Sequence, residues 1–341
     1  MLKQLLVITG VSGHVGFRVL VEALSRGFSV RAVIRRPEQA EPIKSSRSIQ
    51  QHLEDLELVV IPDLLASDAF DTVLIGAYGV IHVASPLPIS TDNFKRDMID
   101  PAVTATLNVL RSAKQVHSIK RIVVTSSIAT LLSWEYIVSN DLSKVFTAQD
   151  TYPPPDPENS FDSPMQAYGA SKALALAATE RFVVEENPAF DIVNILPSMV
   201  IGRNELSMTK EQVASGTNNN VLGPLLGIKA QTPTLGVSVH VNDVARAHID
   251  ALNPSIPGNR NFICSSGGLE GTTWDDVKEI AKQSFSKSVS DGVFTLDGTL
   301  LSRPIHLDAS ETEKVVGWKF SGFKSQVESV VEHYLELSAV Q

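Results

Sequence analysis

The chain has 341 residues, 43% of them apolar, which is enough for a large core in one domain or in one domain plus a smaller lobe. Charged residues make up 20% and the formal net charge is −9, and this acidic balance argues against non-specific nucleic-acid binding, which needs a basic face. The single cysteine, Cys264, rules out an intrachain disulfide, fits a reducing compartment and reads as a small apolar core residue.

The opening "MLKQLLVITGVSG" does not resemble a signal peptide, since its apolar run is short and ends in glycines. No apolar stretch is long enough to span a bilayer. The expectation is a soluble cytoplasmic protein.

In chain order, "QLLVITG" (4–10) reads as a buried strand. "GHVGFRVLVEALSRG" (13–27) follows as a helix with Val15, Val19, Leu20 and Ala23 on one stripe, and "FSVRAVIR" (28–35) is strand again. "LELVVIPD" (56–63), "YGVIHVAS" (78–85), "KRIVVTSS" (120–127) and "FDIVNILP" (190–197) are further β-branched runs bounded by turn residues. Helical patterns occupy 100–116 and 166–186 between them. This alternation, with nearly continuous apolar strands, predicts a parallel sheet covered on both faces by right-handed connections. The expected fold class is α/β, a Rossmann-type doubly wound parallel sheet with a smaller C-terminal substrate-binding lobe.

After Pro197 the pattern loosens. Residues 202–236 are rich in Gly, Asn, Thr and Pro, yet contain "VLGPLLGI", so a folded lid or lobe is expected there. "HVNDVARAHIDAL" (240–252) opens a helix with Asn242 or Asp243 as the expected cap. The terminal "SGFKSQVESVVEHYLEL" is an amphipathic helix. Leu222, Leu225, Leu226, Ile228 and Phe294 suggest an apolar pocket wall. Residues 1–200, completed by segments around 237–265, are expected to form the nucleotide-binding domain. Residues 201–236 and 266–341 would supply the substrate lobe and C-terminal helices.

"VITGVSGHVG" places Gly10, Gly13 and Gly16 between a strand and a helix. Free backbone amides and the positive end of the helix dipole meet a pyrophosphate at such a turn, and glycine lets the backbone approach closely. The bare alternative is a tight turn without a ligand, but strand before and helix after satisfy the context that a dinucleotide site requires. Ser12, His14 and Val15 flank the glycines as further expected contacts. An NAD binder usually carries Asp or Glu about 20 residues on. Here "VRAVIRRPEQ" puts Arg35 and Arg36 there, and a guanidinium pairs well with a 2′-phosphate. The expected cofactor is therefore NADPH/NADP+, with Arg35 as the main contact.

"QAYGASKALALAA" places Tyr168 and Lys172 four residues apart, on one helix face. With the glycine turn, "VVTSS", "AYGASK" and "NILPSMVIG" in this order, the chain resembles the extended short-chain dehydrogenase/reductase superfamily. "VRAVIRRP", "VIHVASP", "HVNDVARAHIDAL" and "VVGWKF" are similar to segments of its dihydroflavonol-4-reductase-like subgroup and the fungal aldehyde and ketone reductases. The resemblance spans nearly the whole chain and is weakest in 133–165 and 203–236. It implies that Tyr168 donates the proton to a carbonyl oxygen, that Lys172 lowers the tyrosine pKa and binds the nicotinamide ribose, and that Ser127 holds the substrate oxygen. It further implies that Asp63 and Leu64 lie by the adenine, that Val83, Ala84, Ser85 and Thr125 line the nucleotide path, and that Pro197 to Val200 surround the nicotinamide. Ser126 and Ser127 point to opposite faces if both keep strand geometry, and the resemblance favours Ser127.

The Asn-Trp-Tyr segment that some plant relatives acting on acyl-CoA thioesters carry is missing from "IATLLSWEYIVSND", which favours a free aldehyde or ketone. His82 reads as a satisfied strand histidine. His240 and His248 have no Cys or carboxylate cluster in sequence to complete a metal site, and "PPPDP" (153–157) reads as a rigid loop. The expectation is an NADPH-dependent carbonyl reductase acting on a small-molecule carbonyl substrate, as a monomer or homodimer. The rivals are a nucleotide-sugar epimerase or dehydratase, for which Arg203, Lys210 and Lys229 make no tight basic cluster, and a non-catalytic NADPH-binding sensor or scaffold.

Overall fold

A computed structural model describes residues 3–139 and 141–337. The chain divides into two units. The first comprises residues up to Asp141, Ala148–Leu196 and Ala245–Phe262. The second takes Leu142–Thr147, Pro197–Val244 and Ile263 onward.

The first unit is built on β1 (Leu5–Thr9), α1 (His14–Ser25), β2 (Ser29–Ile34), β3 (Leu56–Val60), β4 (Gly79–His82), α2 (Asp100–Lys114), β5 (Arg121–Thr125), α3 (Pro164–Glu186) and β6 (Asp191–Pro197). Strands β1 to β6 pair in parallel. With the later strand Arg260–Cys264 beside β6, the order across the seven-stranded sheet is β3, β2, β1, β4, β5, β6 and then that strand. The chain leaves β1 in one direction and returns on its other side at β4, so the C-terminal ends of β1 and β4 flank a crevice where such sheets bind ligands. Every residue of β4 is buried, as are four of the five in β5, which explains the nearly continuous apolar runs in the sequence. Val7, Val80, Ile122 and Ile192 from the strands pack with Leu110 of α2 and Phe182 of α3 in one core.

At the opposite end of β5, Arg121 gathers the return segment. Its Nη1 donates to the carbonyls of Ala251, Asn253 and Ile256 at 3.0, 2.8 and 2.8 Å, and its Nη2 to Asp191 Oδ2 at 2.9 Å. Five guanidinium protons in a planar fork suit one cation to several fixed oxygens.

The second unit holds β7 (Met199–Ile201), α4 (Asn219–Leu225), β8 (Ser238–His240), the first turn of α5 (Val241–Asp250), α6 (Val277–Ser284) and α7 (Phe323–Glu336). Residues 203–236 are folded, as expected. Leu222, Leu225 and Phe294 are not pocket wall, however. They are fully or nearly fully buried in a core with Trp274, Val277 and Val330, with Leu226 packed against it, while Ile228 is exposed. The sequence shows that such residues seek apolar company but not which company.

The cap of α5 also differs from expectation. The helix begins at Val241, so Asn242 and Asp243 lie inside it. His240 Nδ1 accepts the Asn242 amide at 3.0 Å and does the capping. Asp243 accepts from the Ser321 amide and hydroxyl at 2.6 and 3.2 Å. Cys264 is buried, and burial pushes its thiol pKa up.

Candidate active site

The glycine turn is shaped by contacts that exclude side chains. Gly10 has φ +76°, and a Cβ there would lie 2.7 Å from the Ala84 amide nitrogen. A Cβ on Gly16 would lie 2.1 Å from the Gly10 carbonyl oxygen. Gly13 is different. A Cβ there meets only the Gly10 oxygen, at an ordinary 3.5 Å, so the protein itself does not demand glycine at this exposed position. Gly13 is the N-cap of α1 and no side chain caps the helix. Ser12 is exposed, and His14 and Val15 are half-buried in the first turn.

The turn after β2 is tied to this one through Gln39. Its Oε1 accepts the Arg35 and Arg36 amides at 2.9 and 3.1 Å, and its Nε2 donates to Ser12 Oγ at 2.9 Å. Both arginines are exposed, and the Arg35 guanidinium makes no ion pair or hydrogen bond among the described residues. Gln39 had no signal in the sequence beyond its place in "RRPEQ".

Thr9 Oγ1, at the end of β1, accepts the Val83 and Ala84 amides, each at 3.2 Å, and so fixes the strand exit that leads to Ser85. Asp63 accepts the Leu65 amide at 2.8 Å in a turn after β3. Asn108 of α2 holds the carbonyls of Leu64, Leu65 and Ala66 at 3.0 to 3.2 Å. These anchors keep the loops beyond β1, β3 and β4 in fixed positions.

Helix α3 starts after Ser163, whose Oγ accepts the Gln166 amide at 3.2 Å, with Pro164 as its first residue. Tyr168 and Lys172 therefore fall in successive turns, and Lys172 Nζ sits 5.8 Å from the Tyr168 ring centre. Nζ also donates to the Thr125 carbonyl at 3.2 Å, which joins the helix to the end of β5. Thr125 Oγ1 in turn bonds His248 Nε2 at 2.7 Å. Ser127 leaves the strand in extended conformation, and its Oγ accepts the Ala129 amide at 3.1 Å. The Ser127 hydroxyl lies close enough to the Tyr168 phenol to act on it. Ser127, Tyr168 and Lys172 are thus brought together in the first unit. Ser126 Oγ is buried without a hydrogen-bond partner among the described residues, and Ser126 lines a small cavity together with Lys172. Pro197 and Val200 belong to the second unit, Val200 in register with Val239.

The electrostatics depart from expectation at the tyrosine. Burial raises the Tyr168 phenol above its ordinary value, and the Ser127 hydroxyl acts in the opposite direction but does not overcome it. Burial also acts on the lysine, lowering its ammonium to about 8. His82 is not a satisfied strand histidine either. Nδ1 bonds Thr9 Oγ1 at 2.9 Å, but Nε2 is buried with no hydrogen-bond partner among the described residues.

A glycine-rich turn at the switch point of a 3-2-1-4-5-6 sheet, with Ser, Tyr and Lys converging at the end of β5, defines a dinucleotide-binding oxidoreductase-type fold. Residues 6–263 match the model of the NAD dependent epimerase/dehydratase family, and the chain belongs to that family. It is 32% identical to "Ketoreductase CTB6" of Cercospora nicotianae, covering 99% of this chain and 96% of that protein. It is 31% identical to "Ketoreductase sphI" of Aspergillus fumigatus over the full length of both. Among solved structures, yeast methylglyoxal/isovaleraldehyde reductase Gre2 complexed with NADPH superposes with a TM-score of 0.81 at 25% identity, covering 98% of this chain and 99% of the other.

Proposed function

We propose that the protein is an NADPH-dependent carbonyl reductase that converts an aldehyde or ketone to the alcohol, with Tyr168 as the proton donor. The observation that carries this reading is the convergence of Ser127, Tyr168 and Lys172 at the end of β5. Its support comes from relatives of the same length named as ketoreductases and from a structural neighbour complexed with NADPH.

The residues present fit the cofactor. The uncapped first turn of α1 and the open Gly13 suit a pyrophosphate, and the unengaged Arg35 suits a 2′-phosphate with Arg36 beside it. Asp63 and Leu64 would meet the adenine, while Val83, Ala84, Ser85 and Thr125 line the path to the reacting end. Pro197 and Val200 are assigned to the nicotinamide. The cofactor, when bound, supplies the hydride.

Negative charge develops on the carbonyl oxygen as its carbon is reduced. Two hydroxyls aimed at that oxygen, Ser127 and Tyr168, stabilise the charge where it forms. Tyr168 transfers its proton to the oxygen, completing the alcohol. A phenol raised by burial is protonated at neutral pH and therefore ready as the acid. Lys172 stabilises the phenolate that results.

The rival epimerase or dehydratase reading needs cationic groups to hold a nucleotide sugar. In the second unit the Arg203 guanidinium is instead engaged with Glu336 at 2.8 Å. The test is NADPH oxidation by the purified protein with aliphatic and aromatic aldehydes, diketones and β-keto esters, with NADH alongside. Turnover with NADPH supports the reading. Tight NADPH binding with no carbonyl reduced would favour a sensor or scaffold.

A further inference from the structure

The tautomer of His82 can be deduced from its neighbour. A hydroxyl has one proton and two lone pairs. Both lone pairs of Thr9 Oγ1 face amides, those of Val83 and Ala84, so its proton goes to His82 Nδ1. Burial keeps the ring neutral, lowering its pKa to about 3 with a smaller contribution from Lys172. The ring proton of His82 is therefore on Nε2, a buried donor without a protein acceptor among the described residues.

Two further buried atoms share this condition. Asn194 of β6 gives its Nδ2 to Asn261 Oδ1 at 2.9 Å, which leaves Oδ1 without a partner, and Ser126 Oγ has none. Strand register explains why they meet. His82 pairs with Val124 and Val124 with Asn194, so the three side chains leave the sheet on one face, and Ser126 follows two residues after Val124. His82, Ser126, Asn194 and Lys172 line one cavity, whose free space is that of about one water. One Lys172 proton goes to the Thr125 carbonyl.

We propose that this cavity is a water site in which His82 Nε2–H and Lys172 Nζ–H donate to the water, which donates to Asn194 Oδ1 and Ser126 Oγ. His82 and Asn194 are then positioning residues for Lys172. The inference rests on the reading of Lys172 as the catalytic lysine. Two donors and two acceptors satisfy the water and all three orphaned groups, and an unmade hydrogen bond at each would be costly. The water also restores part of the hydration that the buried ammonium has lost.

Lys172 is faced by Tyr168 from its own helix and His82 from β4, while His248 reaches Thr125 Oγ1 from α5. From α2, β5 and β6 the cavity receives Thr106, Ser126 and Asn194, none of which titrates in the working range. The lysine's protonation thus depends on few groups, and a change at Asn194 should be legible.

The experiment is a titration of Lys172 by its 13Cε NMR signal, assigned with Lys172→Met, in wild type, Asn194→Leu and Asn194→Asp, with kcat/KM against pH for the same proteins. Asn194→Leu fills the cavity and removes an acceptor. It should lower the lysine's titration midpoint and the alkaline limb of kcat/KM by about one pH unit, a tenfold change in proton affinity. Asn194→Asp should move both upward. If the Asp variant does not fold, Asn194→Leu alone decides. An unchanged midpoint in Asn194→Leu, or a uniform loss of activity at every pH, overturns the proposal. Shifted NMR midpoints in a protein that reduces no carbonyl would support the water site and count against the reductase reading alone.

Discussion

Thr9 and His82 are register partners across β1 and β4, and their side chains are joined, Oγ1 to Nδ1, at 2.9 Å. The same threonine oxygen receives the two amides that follow His82. One short side chain thereby couples the strand that leads into the glycine turn to the strand that leads into the nucleotide path. It also fixes which nitrogen of the neutral imidazole carries the proton.

The neutral state has a cost in acid. Burial depresses the His82 pKa to about 3, against an ordinary value near 6.5 in the unfolded chain. Between these values the unfolded chain binds a proton that the folded protein does not, so stability rises with pH there. The His82 contribution is complete above about pH 6.5 and is lost as pH falls toward 3, by up to ~4 kcal/mol. Urea unfolding across pH 4 to 7 should show a smaller slope against pH for His82→Gln than for wild type.

Lys172 follows the same sign in a higher pH window. Its ammonium is lowered to about 8, so at pH 7 the folded protein holds a buried charge that the unfolded chain hydrates freely. Lys172→Met should abolish activity yet leave the protein as stable as wild type or up to ~3 kcal/mol more stable at pH 7. The excess should disappear as pH rises from 8 to 10, where the native lysine loses its proton. Parallel denaturation curves and NADPH oxidation assays check both halves.

The arginines after β2 should set cofactor choice. Arg35→Ala should weaken NADPH roughly tenfold to a hundredfold, the range of a charge-assisted bond to phosphate, and leave NADH nearly unchanged. Fluorescence titration with both nucleotides measures this directly. Equal losses for the two would mean that Arg35 does not read the 2′-phosphate.

The glycines divide by what surrounds them. Gly16→Ala puts a methyl 2.1 Å from a backbone oxygen and should cost more than about 3 kcal/mol by thermal unfolding. Gly27 has φ +83° but open space around it, so Gly27→Ala should cost only about 1 kcal/mol of backbone strain. Gly13→Ala should fold like wild type and bind NADPH poorly, since its contacts within the protein are ordinary.

Much of the sheet was legible because its strands are buried on both faces. "VIHV" and "RIVVT" are nearly continuous apolar runs, and the strands at Gly79–His82 and Arg121–Thr125 fall inside the ranges read from the sequence. The pairing of Tyr168 with Lys172 was legible because four residues is a property of one helix. Partners set by folding were not. His240 caps a helix that Asn242 and Asp243 were expected to cap, and which of the three sits outside it depends on where β8 ends. Leu222 and Leu225 were apolar as expected, but the neighbours that make them core come from α6 and α7, far along the chain. The role of His82 turns on which lone pairs of Thr9 are occupied, 73 residues away.

The most direct measurement of the central claim is single-turnover reduction of a carbonyl substrate by NADPH in wild type and Tyr168→Phe, with NADPH affinity measured on both proteins. The account predicts that the mutant binds NADPH within a few-fold of wild type and reduces the carbonyl at least about a hundredfold more slowly, the scale of a general acid. A mutant that turns over at the wild-type rate would contradict Tyr168 as the proton donor.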